Sequence, residues 1–153
     1  MLVDSKGILL STDDGQTWRR PKTAPLRITI SGVVVSKNHE IIVASDEGIF
    51  RSQDAGKSWQ RSQRGLPDKA IHTISYDAPE GRILVIAGAS RTAFESSDGG
   101  LTWHHGPNSG WPLRSIRTAK GRSVAATAFD GVVIDTKETD RTEIPGSAIV
   151  LGQ

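Results

Sequence analysis

Apolar residues in this sequence come in short runs, with turn-forming residues between them. Ile28-Thr-Ile, Val33-Val-Val, Ile41-Ile-Val, 83–87 and 147–151 are rich in β-branched side chains, which suit a pleated surface better than a helix. Turn residues occupy 37–38, 46–48, 77–81 and 130–131. No window of eleven residues or more carries an apolar period of 3.6. The pattern therefore predicts an all-β chain with no helix longer than a turn or two. The expected strands are 2–5, 7–11 and 17–20; then 27–36, 39–45, 49–52 and 58–62; then 71–76, 83–87 and 92–94; then 113–118, 122–128 and 129–135. The run 147–151 is a last β-like stretch.

An eight-residue motif, Ser-x-Asp-x-Gly-x-Ser/Thr-Trp, recurs within this pattern. It occupies 11–18 (Ser11, Asp13, Gly15, Thr17, Trp18), 52–59 (Ser52, Asp54, Gly56, Ser58, Trp59) and 96–103 (Ser96, Asp98, Gly100, Thr102, Trp103). The copies start 41 and 44 residues apart (11 to 52, 52 to 96). A period in this range marks a supersecondary unit that cannot bury its apolar face alone and stacks on copies of itself. Each copy falls between two strands and is expected to be a hairpin turn. The aspartate accepts hydrogen bonds from turn amides, the glycine allows a positive φ, and the hydroxyl ties the turn to its backbone. The tryptophan opens the next strand and is expected to be buried between neighbouring units. Aspartates also serve as metal ligands or general acids. Three equivalent carboxylates a unit apart cannot meet at one site, which favours the turn role.

The motif resembles the Asp-box, or BNR repeat. That repeat marks the blades of sialidase-like β-propellers, of some glycoside hydrolases and sortilin-type receptors, and of Ycf48/Hcf136-type photosystem II assembly factors. The resemblance covers nearly the whole chain. It implies a partial or small β-propeller of about 3.5–4 four-stranded antiparallel blades with the motif as a hairpin in each. It speaks to fold more than to chemistry, because families sharing the repeat differ in activity. The expected blades are 1–21, 26–63, 70–107 and 113–145, with 147–153 as a closing strand. In the fourth blade the motif would begin at Asp135, but the Asp, Gly and Trp are missing, so a remodelled turn is expected there. A piece of a larger propeller is favoured, then self-association, then a closed four-blade ring. An open half-ring exposes blade faces and strand edges.

Composition narrows the function classes. The 153 residues carry 19 basic and 17 acidic side chains, a net +2, with no Lys/Arg run of the kind that tracks phosphates. Nucleic acid is therefore not expected as a partner. The absence of cysteine excludes disulfides and thiol chemistry. No apolar span is long enough for a membrane helix, and the first residues lack a signal peptide's apolar stretch. A cytoplasmic location is the default, with an exported parent protein left open. The sequence starts as if midway through a blade.

Candidate chemistry lies on the face opposite the motif turns. There the loops joining second and third strands (4–6, 46–47, 90–92, 129–130) meet the loops joining blades (21–25, 64–69, 106–112). Aligning Leu26, Ile71 and Leu113 puts Arg27, His72 and Arg114 at one position of three blades, with Arg64, Arg91 and Arg117 as possible neighbours. Such a cationic set forms a pocket for a carboxylate or other anion. Alternatively, it is solvated, or paired with Asp46, Glu47 and Asp130. Trp111, the one tryptophan outside a motif, either stacks on a sugar or anchors a partner, or plugs a gap between blades. His104 and His105 are adjacent on a strand and point to opposite faces, so they cannot chelate one ion.

No Ser/His/Asp arrangement, phosphate loop, metal spacing or cofactor motif is evident. A sialidase would need an arginine triad, a Tyr/Glu pair and an acid Asp, and the single Tyr76 should lie at the motif end of an inner strand. The expectation is a non-catalytic scaffold for a protein partner or an anionic or carbohydrate ligand, similar to the Ycf48 type. The alternative is part of a sialidase-like or other Asp-box glycoside hydrolase whose catalytic residues lie outside this chain.

Overall fold

The computed structural model describes residues 2–4, 7–11, 13–21, 28–67, 70–106, 110–119, 122–128, 131–135 and 141–143. These residues form strands and turns and no helix. β1 (Leu2–Asp4) and β2 (Gly7–Leu9) make a hairpin, which Leu10 extends by an antiparallel bridge to Arg19. β3 (Ile30–Val35), β4 (Ile41–Ser45), β5 (Gly48–Ser52) and β6 (Gln60–Ser62) form a four-stranded antiparallel meander. β7 (Ile71–Asp77), β8 (Arg82–Ala87), β9 (Thr92–Ser96) and β10 (His104–His105) repeat it. So do β11 (Leu113–Ala119), β12 (Arg122–Thr127), β13 (Val132–Asp135) and β14 (Arg141–Glu143). The proposed closing strand 147–153 lies outside the described residues.

The sheets stack through their second strands. In β4, Ile41 and Val43 pack with Ile8 and Leu10 of the first hairpin, while Ile42 and Ala44 pack with Ile71, Ile74, Ile83 and Val85 of the next sheet. In β8, Ile83 and Val85 face back, and Leu84 and Ile86 face forward onto Leu113, Ile116 and Ala125. A strand covered on both faces needs apolar side chains at every position, which explains the unbroken runs Ile41-Ile-Val-Ala and Ile83-Leu-Val-Ile-Ala. Each isoleucine, leucine or valine removed from water in these runs contributes roughly 1.5–3 kcal/mol. The inner strands β3, β7 and β11 lie in sequence, β7 touching both others.

The motif tryptophans do not share one fate. Trp103 is buried, Trp59 is half-buried and Trp18 is exposed. The reason is positional: each motif packs on the sheet before it. Trp103 reaches Ser62 of the preceding sheet, and Trp59 joins the cluster around Ile8 and Leu10. Among the described residues no sheet stands before Trp18.

Candidate binding faces

The three motif copies have one geometry. Ser11, Ser52 and Ser96 each donate a hydroxyl to the aspartate two residues on, at 2.7, 2.9 and 2.7 Å. Each also accepts the amide of Gly15, Gly56 or Gly100, at 2.8, 2.7 and 2.8 Å. Asp13, Asp54 and Asp98 accept both the amide and the hydroxyl of Thr17, Ser58 and Thr102. The hydroxyl of Thr17 holds Asp13 at a pKa of about 2, and that of Ser58 does the same for Asp54. Burial pushes Asp98 up, but the hydroxyl and amide of Thr102 outweigh it and leave the group at about 2. Carboxylates so engaged are turn fasteners. Gly15, Gly56 and Gly100 all take positive φ, and a side chain on Gly56 would collide with Leu10 of the sheet before it. In the fourth sheet five residues, 136–140, separate the paired Asp135 and Arg141, against eight between Arg51 and Gln60; the expected remodelled turn itself lies outside the described residues.

At the opposite end the pairing register corrects one alignment. Each inner strand has an irregularity, between Ile30 and Gly32, Ile71 and Thr73, and Leu113 and Ser115. The residue passed over is Ser31, His72 or Arg114. Ser31, not Arg27, is therefore the counterpart of His72 and Arg114, and Arg27 itself lies outside the described residues. The shared Leu-Arg pair at 26–27 and 113–114 mimicked an equivalence; the pairing register places the counterpart four residues later, at Ser31.

The remaining cations are placed as follows. His72 Nε2 lies 3.0 Å from the Gly88 carbonyl, and Arg114 Nη2 donates to the Ala128 carbonyl at 2.9 Å. These carbonyls occupy matching positions after the second strands, since the amides of Gly88 and Ala128 bond Ala70 and Pro112 in the same way. Arg91 takes a left-handed φ of 54° in the turn from β8 to β9. Its Nε donates to Leu113 O at 2.9 Å and its own carbonyl accepts Leu113 N–H at 3.0 Å, fastening this turn to the start of β11. Trp111 is exposed next to Pro112, whose carbonyl accepts the Ala128 amide. One end of the sheets thus gathers His72, Arg91, Arg114 and Trp111. Arg117 lies further along β11, giving Nη1 to Ile116 O at 2.9 Å. Arg64 stands apart, its carbonyl accepting Trp103 N–H at 2.9 Å. Asp46, offered as a pairing carboxylate, instead accepts the Thr29 amide at 2.9 Å.

A concavity of about 340 Å³ opens at the motif end between the second and third sheets. Glu40, Arg51, Tyr76 and Asp98 are among its walls. Arg51 is buried and pairs with Glu40 at 2.9 Å, beneath Gly99 and Gly100 of the following motif. Its Nε has no partner. Sequence reasoning passed over Arg51, whose signal was a lone charge in the apolar strand before a motif. Tyr76 lies at this end as expected, its hydroxyl accepting the Lys37 amide across the sheets at 2.9 Å. The ring of His105 rests on Phe94, centroids 4.8 Å apart. No group of three or more metal-ligating side chains occurs among the described residues.

No protein-family model and no curated protein matches the chain. Solved structures do. The chain is 17% identical to YCF48 bound to D1 peptide, with a TM-score of 0.63 over 88% of this chain and 46% of that one. These are β-propeller blades. YCF48 from Cyanidioschyzon merolae aligns at 14% identity and a TM-score of 0.60, over 80% of this chain and 39% of that one. The GH74 enzyme of Niastella koreensis aligns at 17% and 0.64, over 90% and 21%. The chain thus spans less than half the length of these propellers. No helix of the described residues is long and apolar enough to cross a membrane.

Proposed function

We propose that this chain is a non-catalytic propeller scaffold that binds an acidic protein segment at the end of its sheets opposite the motif turns. The observation that carries this reading is the gathering of His72, Arg91 and Arg114 beside the exposed Trp111. Each arginine gives a donor to a backbone carbonyl, which fixes the side chain without neutralising it. A guanidinium has five donors, so others remain for a carboxylate. An aromatic beside fixed cations suits a peptide carrying acidic groups. The likeness to a propeller described as bound to a peptide supports a protein partner.

The test is calorimetric titration with an acidic peptide bearing a free C-terminal carboxylate, and with its C-terminal amide. Binding should weaken with salt, because the site is open to solvent. Arg114→Ala or Trp111→Ala should weaken it by about tenfold, as loss of an anchor does, with melting unchanged. Binding that ignores both substitutions overturns the reading.

The likeness to a GH74 enzyme supports a second reading: part of a glycoside hydrolase whose catalytic residues lie outside this chain. Hydrolysis of a β-glucan by the chain, abolished by a point substitution within it, would displace the scaffold reading.

A further inference from the structure

The concavity at the motif end between the second and third sheets has a counterpart one sheet earlier, and the two differ in kind. The earlier one, of about 230 Å³, is lined by Leu10, Val35, Ile41 and Ala55, with Arg19 and His39 beside them. Leu10 pairs with Arg19 as Arg51 does with Gln60, so Leu10 is the counterpart of Arg51. Val35 pairs with Ile41 as Tyr76 does with Ile83, so Val35 is the counterpart of Tyr76. Ala55 and Gly99 are the fourth residues of their motifs. Leucine and valine thus serve the same places one sheet earlier, and stacking does not require the polar Arg51 and Tyr76. Ala55 takes a left-handed φ of 57°, near the 74° of Gly99, so the turn accepts a side chain there. What excludes one at position 99 is Glu40: an added Cβ would lie 2.9 Å from Glu40 Oε2.

We propose that the later concavity binds a small neutral polyhydroxyl ligand, a sugar ring, through Arg51, Glu40 and Tyr76. Arg51 is 5% exposed, yet among the described residues its guanidinium makes one bond, Nη2 to Glu40 Oε1 at 2.9 Å, and its Nε is buried without a partner. A buried charge so sparsely bonded is costly, and a ligand bonded to it offsets that cost. Gln53 donates to the same Glu40 oxygen at 2.5 Å, which leaves Oε2 as an open acceptor among the described residues. The Tyr76 oxygen accepts the Lys37 amide, so its proton remains to be given. Donors and an acceptor therefore stand side by side. Charge selects among ligands, because a carboxylate would meet Glu40 and an ammonium would meet Arg51 and Lys37. A hydroxyl both gives and accepts without charge, and neighbouring hydroxyls on one ring answer both groups. The volume of about 340 Å³ falls at the low end of the range for small-molecule sites, about 300–1,000 Å³. The motif turns keep their structural role, and the site lies beside them.

NMR titration of the full chain with D-glucose, D-galactose and D-mannose tests the proposal. At least one sugar should give saturable shifts at Lys37, Glu40, Gln53, Tyr76 and Gly99, with a Kd of about 1 mM, as a few bonds at a small open site allow. D-glucosamine and D-glucuronate should bind at least about tenfold more weakly, the one meeting Arg51 and the other Glu40. The double variant Arg51→Leu with Glu40→Gln should keep the fold, since leucine packs at the counterpart position, and should lose the shifts. Tyr76→Phe should weaken binding about fivefold, the effect of one lost hydrogen bond, and it carries the test should the double variant fail to fold. Arg114→Ala should leave sugar binding unchanged, which separates this site from the acidic-peptide end. The proposal is overturned by the absence of saturable shifts with all three sugars at about ten times that concentration. Shifts that survive these substitutions, or a charged sugar that binds as tightly as a neutral one, overturn it as well.

Discussion

Trp103 donates its indole N–H to Ser62 Oγ at 3.4 Å across the boundary between two sheets. This contact shows how the motif serves the fold. The turn is fastened internally by its serine and aspartate, and its tryptophan then secures the whole sheet to the one before. Trp103→Ala should accordingly cost about 3–5 kcal/mol, as large-to-small core changes do. Trp18→Ala, with no preceding sheet among the described residues, should cost far less. Urea unfolding of the two variants measures the difference, and equal losses would contradict it.

One sheet earlier the same contact is broken. Pro21 stands where Ser62 stands, as the pairings Leu10↔Arg19 and Arg51↔Gln60 establish by register. Proline offers no side-chain acceptor, and Trp59 Nε1 is buried without a partner. An unsatisfied buried donor costs about 1–3 kcal/mol. Pro21→Ser should recover about 1 kcal/mol of that, the rest being offset by the freer unfolded chain. A thermal melt reads the result as a higher Tm. A lower Tm would show that Trp59 is not held as Trp103 is.

The motif aspartates contribute stability that acid removes. Asp13, Asp54 and Asp98 sit at about 2 in the folded chain against an ordinary 3.8. The unfolded chain therefore binds protons first as pH falls. Their stabilisation is complete above pH 3.8 and is lost as pH falls from there through about 2. Asp98→Asn should lower the Tm at neutral pH and flatten the fall between pH 4 and 2. An unchanged acid slope would contradict the role assigned to these carboxylates.

Much of this was legible in the sequence. The period of the motif and the β-branched runs gave the hairpins, because a turn needing Asp, Gly and a hydroxyl at fixed offsets leaves few alternatives. The doubly apolar runs 41–44 and 83–87 marked the strands covered on both faces. What stayed hidden depends on neighbours. The irregularity shared by the three inner strands shows only in their pairing register, so the Leu-Arg pair at 26–27 made Arg27 look equivalent to His72 and Arg114. Arg51 showed in the sequence as a lone charge in an apolar strand, but its depth comes from the glycines of the next motif, which the sequence does not place over it. Trp18 shares its motif with Trp103 and differs only in what precedes it.

The central claim is that partner binding belongs to the end carrying His72, Arg91, Trp111 and Arg114, and that the motif turns are structural. Amide and indole NMR shifts during titration with the acidic peptide test it most directly. The account predicts that shifts concentrate at these four residues and on Ala128 and Leu113, leaving Asp13, Asp54, Asp98 and their turns unmoved. Shifts concentrated on Lys37, Glu40 and Ser97 at the motif end would contradict it.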